Sequence, residues 1–208
     1  MDYFEIIDKA YKKFLESNKV QDRTIYYNEL INEINKDDVD MCDRDFIKMF
    51  YIGKKANTFA AEGAAKTTTP NYYIFMEDEK TKEIMRRYME IRIKYQLKGE
   101  LFKELRENLI FHHLEKNNFG KKSPKLYVNR MMLILFPEIC TTIANYGDLK
   151  NVAKLLGIDV GNDFNKSLFN VHYQVRGKIE SYLKDKGISD KLNDLEKAEI
   201  AWHILDKK

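Results

Sequence analysis

The chain has 208 residues, 44% of them hydrophobic and 12% aromatic, which excludes a disordered polar tail and leaves room for one substantial domain or two small ones. A third of the residues are charged and only three are proline, so helix is expected to dominate. There is no apolar run of about 18 residues, and the opening "MDYFEIIDKAYKK" lacks the apolar core of a signal peptide. Cys42 and Cys140 have no partner at metal-ligand spacing, so a soluble cytoplasmic protein with free thiols is expected.

Residues 3–17 place Phe4, Ile7, Tyr11, Phe14 and Leu15 at helical spacing, and residues 25–35 repeat the pattern through Ile25, Leu30, Ile31 and Ile34. A third helix starts at Asp43 or Asp45 and uses Phe46, Ile47, Phe50 and Tyr51. The period then changes. "NTFAAEGAAKTTTPNYYIFMED" supplies small residues, a Pro-Asn turn and the aromatic, branched run "YYIFM", which has strand character. Three helices followed by a strand pair around a small loop is the order of a winged helix, in which the third helix enters the major groove and the wing touches a nearby phosphate.

From Glu77 to about Lys116 nearly every residue is a good helix former, with one apolar stripe through Ile84, Tyr88, Ile91, Tyr95, Phe102, Leu105 and Leu109 and a bend at Gly99. "NNFGKKSP" at 117–124 reads as a linker. Helices follow at 125–136, stopped by Pro137; at 148–156, with Asp148 as N-cap and Gly157 as stop; and near 167–186. The C-terminal "LNDLEKAEIAWHILDKK" is expected to bury Trp202. The fold class is therefore mainly α: a winged-helix-like part with a small β wing over 1–80, a long connecting helix over 81–116, and a helical bundle over 117–208.

Net charge is +3, but it is segregated: Lys and Arg number six against eleven acids in 1–43, nineteen against eleven in 44–130, and eleven against eleven in 131–208. A basic middle region is the electrostatic footprint of phosphate binding. The candidate contacts to double-stranded DNA are Lys48, Lys54, Lys55 and Asn57 on the third helix and its exit. Lys66, Thr67, Thr68, Thr69, Asn71, Tyr72 and Tyr73 follow on the wing, and Arg86 and Arg87 on the long helix. A Thr-rich surface turn and a solvated Lys face are the plainer readings of the same letters.

Catalytic signals are weak. His112 and His113 are adjacent and so point about 100° apart on a helix, which prevents them from sharing a metal. His203 beside Trp202 fits a satisfied core or rim residue. The Gly-Lys-Lys at 53–55 and at 120–122 lacks the rest of a Walker A loop, and no dinucleotide or hydrolase fingerprint appears. The acids of "MEDEK" at 76–80 are explained by a helix start and do not require a nuclease. No enzyme activity, cofactor or metal is expected.

The stretch "MLILFPEICTTIANYGDLKNVAKLLGI", continued by "FNVHYQVRGKIESYL" and "EKAEIAWHILD", resembles the region before the nucleotide-binding module of McrB-like restriction ATPases, over about residues 126–206. The resemblance implies that helix 148–156 is a scaffold element, that DNA reading falls to the N-terminal half, and that a motor domain or subunit would follow. It supplies no Walker or sensor residue to this chain. The expected function is a non-catalytic DNA-recognition module of a restriction or defence system. The alternative is a protein-interaction or inhibitor protein of a mobile genetic element, with a continuous Lys/Arg stripe favouring the first and scattered charge the second.

Overall fold

Asp2 opens the first helix, α1 (Tyr3–Leu15), with its side chain accepting from the Phe4 N–H. The computed structural model describes residues 2–17, 20–36, 39–52, 69–92, 98–120, 123–161 and 164–205. Contacts gather the chain into two compact units, Met1–Thr24 with Leu133–Lys208 and Ile25–Met132. The unit boundaries fall within helices α2 (Val20–Ile34) and α8 (Lys125–Leu135).

In the first unit, α1 packs on α10 (Phe164–Asp185), on α11 (Asp194–Ile200) and on the 3-10 turn Ala201–Ile204 that continues α11. The buried face of α1 is Ile7, Ala10 and Phe14, while Leu15 is 62% exposed. The α9 helix (Tyr146–Leu155) lies against α10. Its N-cap is Asn145, whose side chain accepts from the Asp148 N–H at 3.1 Å, so Asp148 sits inside the first turn and is not the cap. Gly157 takes the left-handed conformation at φ 69°, and the Ile158 N–H reaches back to the Ala153 carbonyl to close the helix end. Asn193 and Glu196 form a reciprocal capping box on α11. Trp202 falls in the 3-10 turn and is half-buried, less enclosed than its apolar surroundings in sequence suggest.

In the second unit, α2 buries Tyr26, Leu30 and Ile34, and Ile25 faces outward. Asp43 caps α3 (Arg44–Phe46), which continues as a π-helical turn, Ile47–Ile52. The expected wing does not form where it can be seen: no strand occurs among the described residues, and "YYIFM" belongs to α4 (Thr69–Glu77). Tyr72, Phe75 and Met76 are its buried residues, a helical spacing, and burying each stabilises the fold by roughly 1.5–3 kcal/mol. Pro70 lies in the first turn, where its missing N–H costs nothing. Aromatic strand propensity yields here to packing.

The expected 40-residue helix is divided. Asp78 ends α4 and caps α5 (Glu79–Glu90), accepting from the Thr81 N–H at 3.0 Å. Further on come α6 (Lys98–Arg106) and α7 (Leu109–Lys116), separated at Asn108, which adopts the left-handed φ of 56°. Gly99 is the second residue of α6, and the residues just before that helix, 93–97, lie outside the described ones. Both α6 and α7 pack on α5.

Candidate nucleic-acid interface

Lys54, Lys55, Asn57, Lys66, Thr67 and Thr68 lie outside the described residues. The other candidates do not form one stripe. Exposed Lys48 pairs with Asp45 at 3.4 Å, and Arg87 on α5 donates to Glu104 of α6 at 2.6 Å. Thr69 at the start of α4 shares a 3.0 Å hydrogen bond with the Tyr127 hydroxyl of α8, so its hydroxyl is already engaged. The half-buried Asn71 has its side chain against Gly120. Tyr73 is half-buried with Arg44 over its ring at 5.4 Å, and Arg44 is itself bonded to Glu77.

Tyr72 must be withdrawn from the interface. Its side chain is fully buried, with its hydroxyl donating to the Met131 sulfur at 3.2 Å and its ring stacked on Tyr127 at 5.2 Å. It belongs to an interior cluster with Tyr26, Tyr51 and Arg130. Burial raises the phenol pKa of all three tyrosines and lowers that of Arg130. These groups shape a core, and no nucleotide can reach them.

Less than half of the charge surplus belongs to the described helices. Of the eight excess positive charges in 44–130, five belong to segments 53–68, 93–97 and 121–122, outside the described residues. On the described helices, acids and bases alternate in short pairs such as Lys80–Glu83 at 2.8 Å and Lys82–Glu79 at 2.9 Å.

Arg86 differs from its neighbour. It is exposed, forms no ion pair among the described residues, and lines an open cleft of about 460 Å³. One wall of the cleft is α5, through Lys82, Met85, Arg86, Met89 and Glu90; the other is Ile34 at the end of α2 with Val39, Asp40, Met41 and Cys42. Burial pushes the Cys42 thiol up to about 12, so it is protonated at neutral pH and inert as a nucleophile.

Two histidines do structural work that their sequence positions did not reveal. His113 of α7 contacts the Asp78 carboxylate through Nε2 at 2.6 Å and the Asn117 amide through Nδ1 at 3.0 Å. Asp78 thereby caps α5 and ties it to α7. Burial works to raise the Asp78 pKa, but hydrogen bonds from Thr81 and His113 outweigh it and the net shift is downward. His172 of α10 is fully buried, and its Nδ1 accepts from the Thr141 N–H at 3.2 Å. That acceptor role fixes the neutral Nε2–H tautomer, and desolvation holds the ring pKa down at about 3.

His172 and Arg176, one turn apart on α10, together support an unusual stretch. Residues 136–144 leave helical geometry, yet nearly all are buried, so their backbone polar groups need partners. Arg176 donates from Nε to the Pro137 carbonyl at 3.1 Å and from Nη2 to Asp194 at 3.0 Å, and the Thr142 N–H donates to the Ala198 carbonyl at 3.2 Å. The spacing of His172 and Arg176 beside the stripe Leu168, Val171, Val175 and Ile179 was the available sequence signal. It showed adjacency but not the segment they serve.

No group of three or more His, Cys, Asp or Glu able to hold a metal occurs among the described residues, and no described helix is long and apolar enough to cross a membrane. Compared with known proteins, the chain matches no family model, no curated protein and no solved structure.

Proposed function

We propose that the protein is a non-catalytic DNA-binding module, and that the double-stranded DNA backbone is contacted by the basic segments of residues 44–130. The observation that carries this reading is the segregation of charge, nineteen bases against eleven acids in that region alone. An exposed ion pair such as Lys48–Asp45 is worth at most about 1 kcal/mol, so a phosphate can compete for that lysine. Under the resemblance to McrB-like systems, the 136–144 segment and α9 to α11 act as a scaffold for a motor partner.

A second reading, a protein-interaction or inhibitor module, is favoured by the open cleft beside α5 and by the paired charges of the described helices. Fluorescence anisotropy on duplex DNA at several salt concentrations separates the two. Binding should weaken with salt, with a log-log slope of about −4 to −5 for about five phosphate contacts. Replacing Lys54, Lys55 and Lys66 together by alanine should flatten that slope by about three. Absence of binding at low salt on several duplexes selects the interaction reading.

A further inference from the structure

We propose that the cleft between α5 and residues 39–42 binds an amphiphilic carboxylate, a small molecule whose acid group pairs with Arg86 while its apolar body lies on Met41, Cys42, Met85 and Met89. At about 460 Å³ the hollow falls in the range of small-molecule sites, which combine an apolar lining with a few polar groups at the mouth. The lining is rich in sulfur. Three of the eight methionines and one of the two cysteines meet here, giving a polarizable, adaptable floor that suits an aliphatic chain. Along α5 the cleft runs from Lys82 to Glu90, about 12 Å at 1.5 Å per residue, which sets the length of body it accepts.

The charges at the mouth select the head group. Lys82 donates to Glu79 at 2.9 Å, the Asp40 carboxylate accepts from the Cys42 N–H at 2.8 Å, and Glu90 has a partner of its own. Arg86 alone keeps its fork of donors uncommitted among the described residues, and a guanidinium pairs bidentately with a carboxylate. Asp40 and Glu90 repel a second negative charge, so a monoanion is favoured over a phosphate monoester. The site is separate from the DNA reading and stands without it.

Decanoate titrated into protein carrying 13C-methyl methionine tests the proposal, followed by NMR below the micelle concentration. The Met41, Met85 and Met89 methyl signals should shift saturably, while those of exposed Met49 and buried Met76 stay in place. Arg86→Gln, at an exposed position, should keep the thermal melt of the parent and weaken decanoate binding by about tenfold or more, the value of a hydrogen bond to a charged group. Decanol should bind more weakly than decanoate and equally to both proteins. Met89→Gln should weaken both ligands. Equal decanoate affinity in the parent and Arg86→Gln, uniform shifts of all methionines, or no saturable shift would each overturn the proposal.

Discussion

The 136–144 segment of the first unit and the 39–42 segment of the second are both irregular stretches beside a helix, yet they resolve their polar groups in opposite ways. The first is enclosed: its backbone is held partly by its own turn on the Phe136 carbonyl and partly by side chains of α10 and a carbonyl of α11, and the buried Arg176 pairs with Asp194 at the surface. The second is open, with its apolar side chains lining a cleft and Arg86 left at the mouth. A buried guanidinium held by a carbonyl and a carboxylate fixes a loop, whereas an exposed one with no ion pair among the described residues keeps its donors towards solvent. Arginines of similar appearance in sequence therefore sit in opposite environments.

The sharpest way to break this contrast is Arg176→Ala. It leaves the Pro137 carbonyl without its donor and opens a cavity, and urea unfolding should show a loss of about 3–5 kcal/mol. An unchanged midpoint would mean that the sealed segment does not depend on α10.

Acid provides the next probe. His172 is held at about 3 in the folded protein against 6.5 in the unfolded chain, so below pH 6.5 the unfolded state binds more protons. Stability is lost as pH falls from 6.5 towards 3, by roughly 2–3 kcal/mol near pH 4.5 from this group. His172→Asn retains an acceptor for Thr141 but cannot be protonated. Its unfolding free energy should vary less with pH across that window, as read by urea melts at pH 7 and pH 4.5.

Trp202→Ala should cost about 2 kcal/mol, below the 3–5 of a fully buried tryptophan, since the ring is half-buried in a 3-10 turn. An indole emission maximum between the buried and water-exposed extremes is the accompanying observable. The smallest effect belongs to Tyr72→Phe. Only a weak hydroxyl-to-sulfur hydrogen bond is removed, so the loss should stay under about 1 kcal/mol, and DNA affinity should not move. A selective loss of DNA binding would restore Tyr72 to the interface.

How far the sequence can be read differs between these regions for physical reasons. The α1, α8, α9 and α10 helices follow from apolar periodicity, with Gly157 ending α9 at the expected position. The α4 helix runs against local preference, since Tyr72, Tyr73, Ile74 and Phe75 favour strands, and only the packing of residues 72, 75 and 76 reveals the helix. The division of the long helix depended on Asp78 turning into a cap and Asn108 turning left-handed, neither forced by composition. Within the candidate interface, Lys48 and Arg87 are exposed as their chemistry suggests, but their acidic partners Asp45 and Glu104 are set by the folded helices. The cleft joins residues about 50 positions apart, so periodicity within any one helix is blind to it.

The pairing of α1 with α10 and α11 also sets a timetable for synthesis. Asp8 on α1 accepts a hydrogen bond from Tyr182, and Phe14 packs edge-on against His203. At typical elongation rates the ribosome needs on the order of ten to thirty seconds to travel from the first helix to those partners. During that interval the face of Ile7, Ala10 and Phe14 has left the exit tunnel with nothing of its own to cover it. A chaperone that shields nascent apolar helices would find its substrate in this molecule at α1, well before the first unit can close.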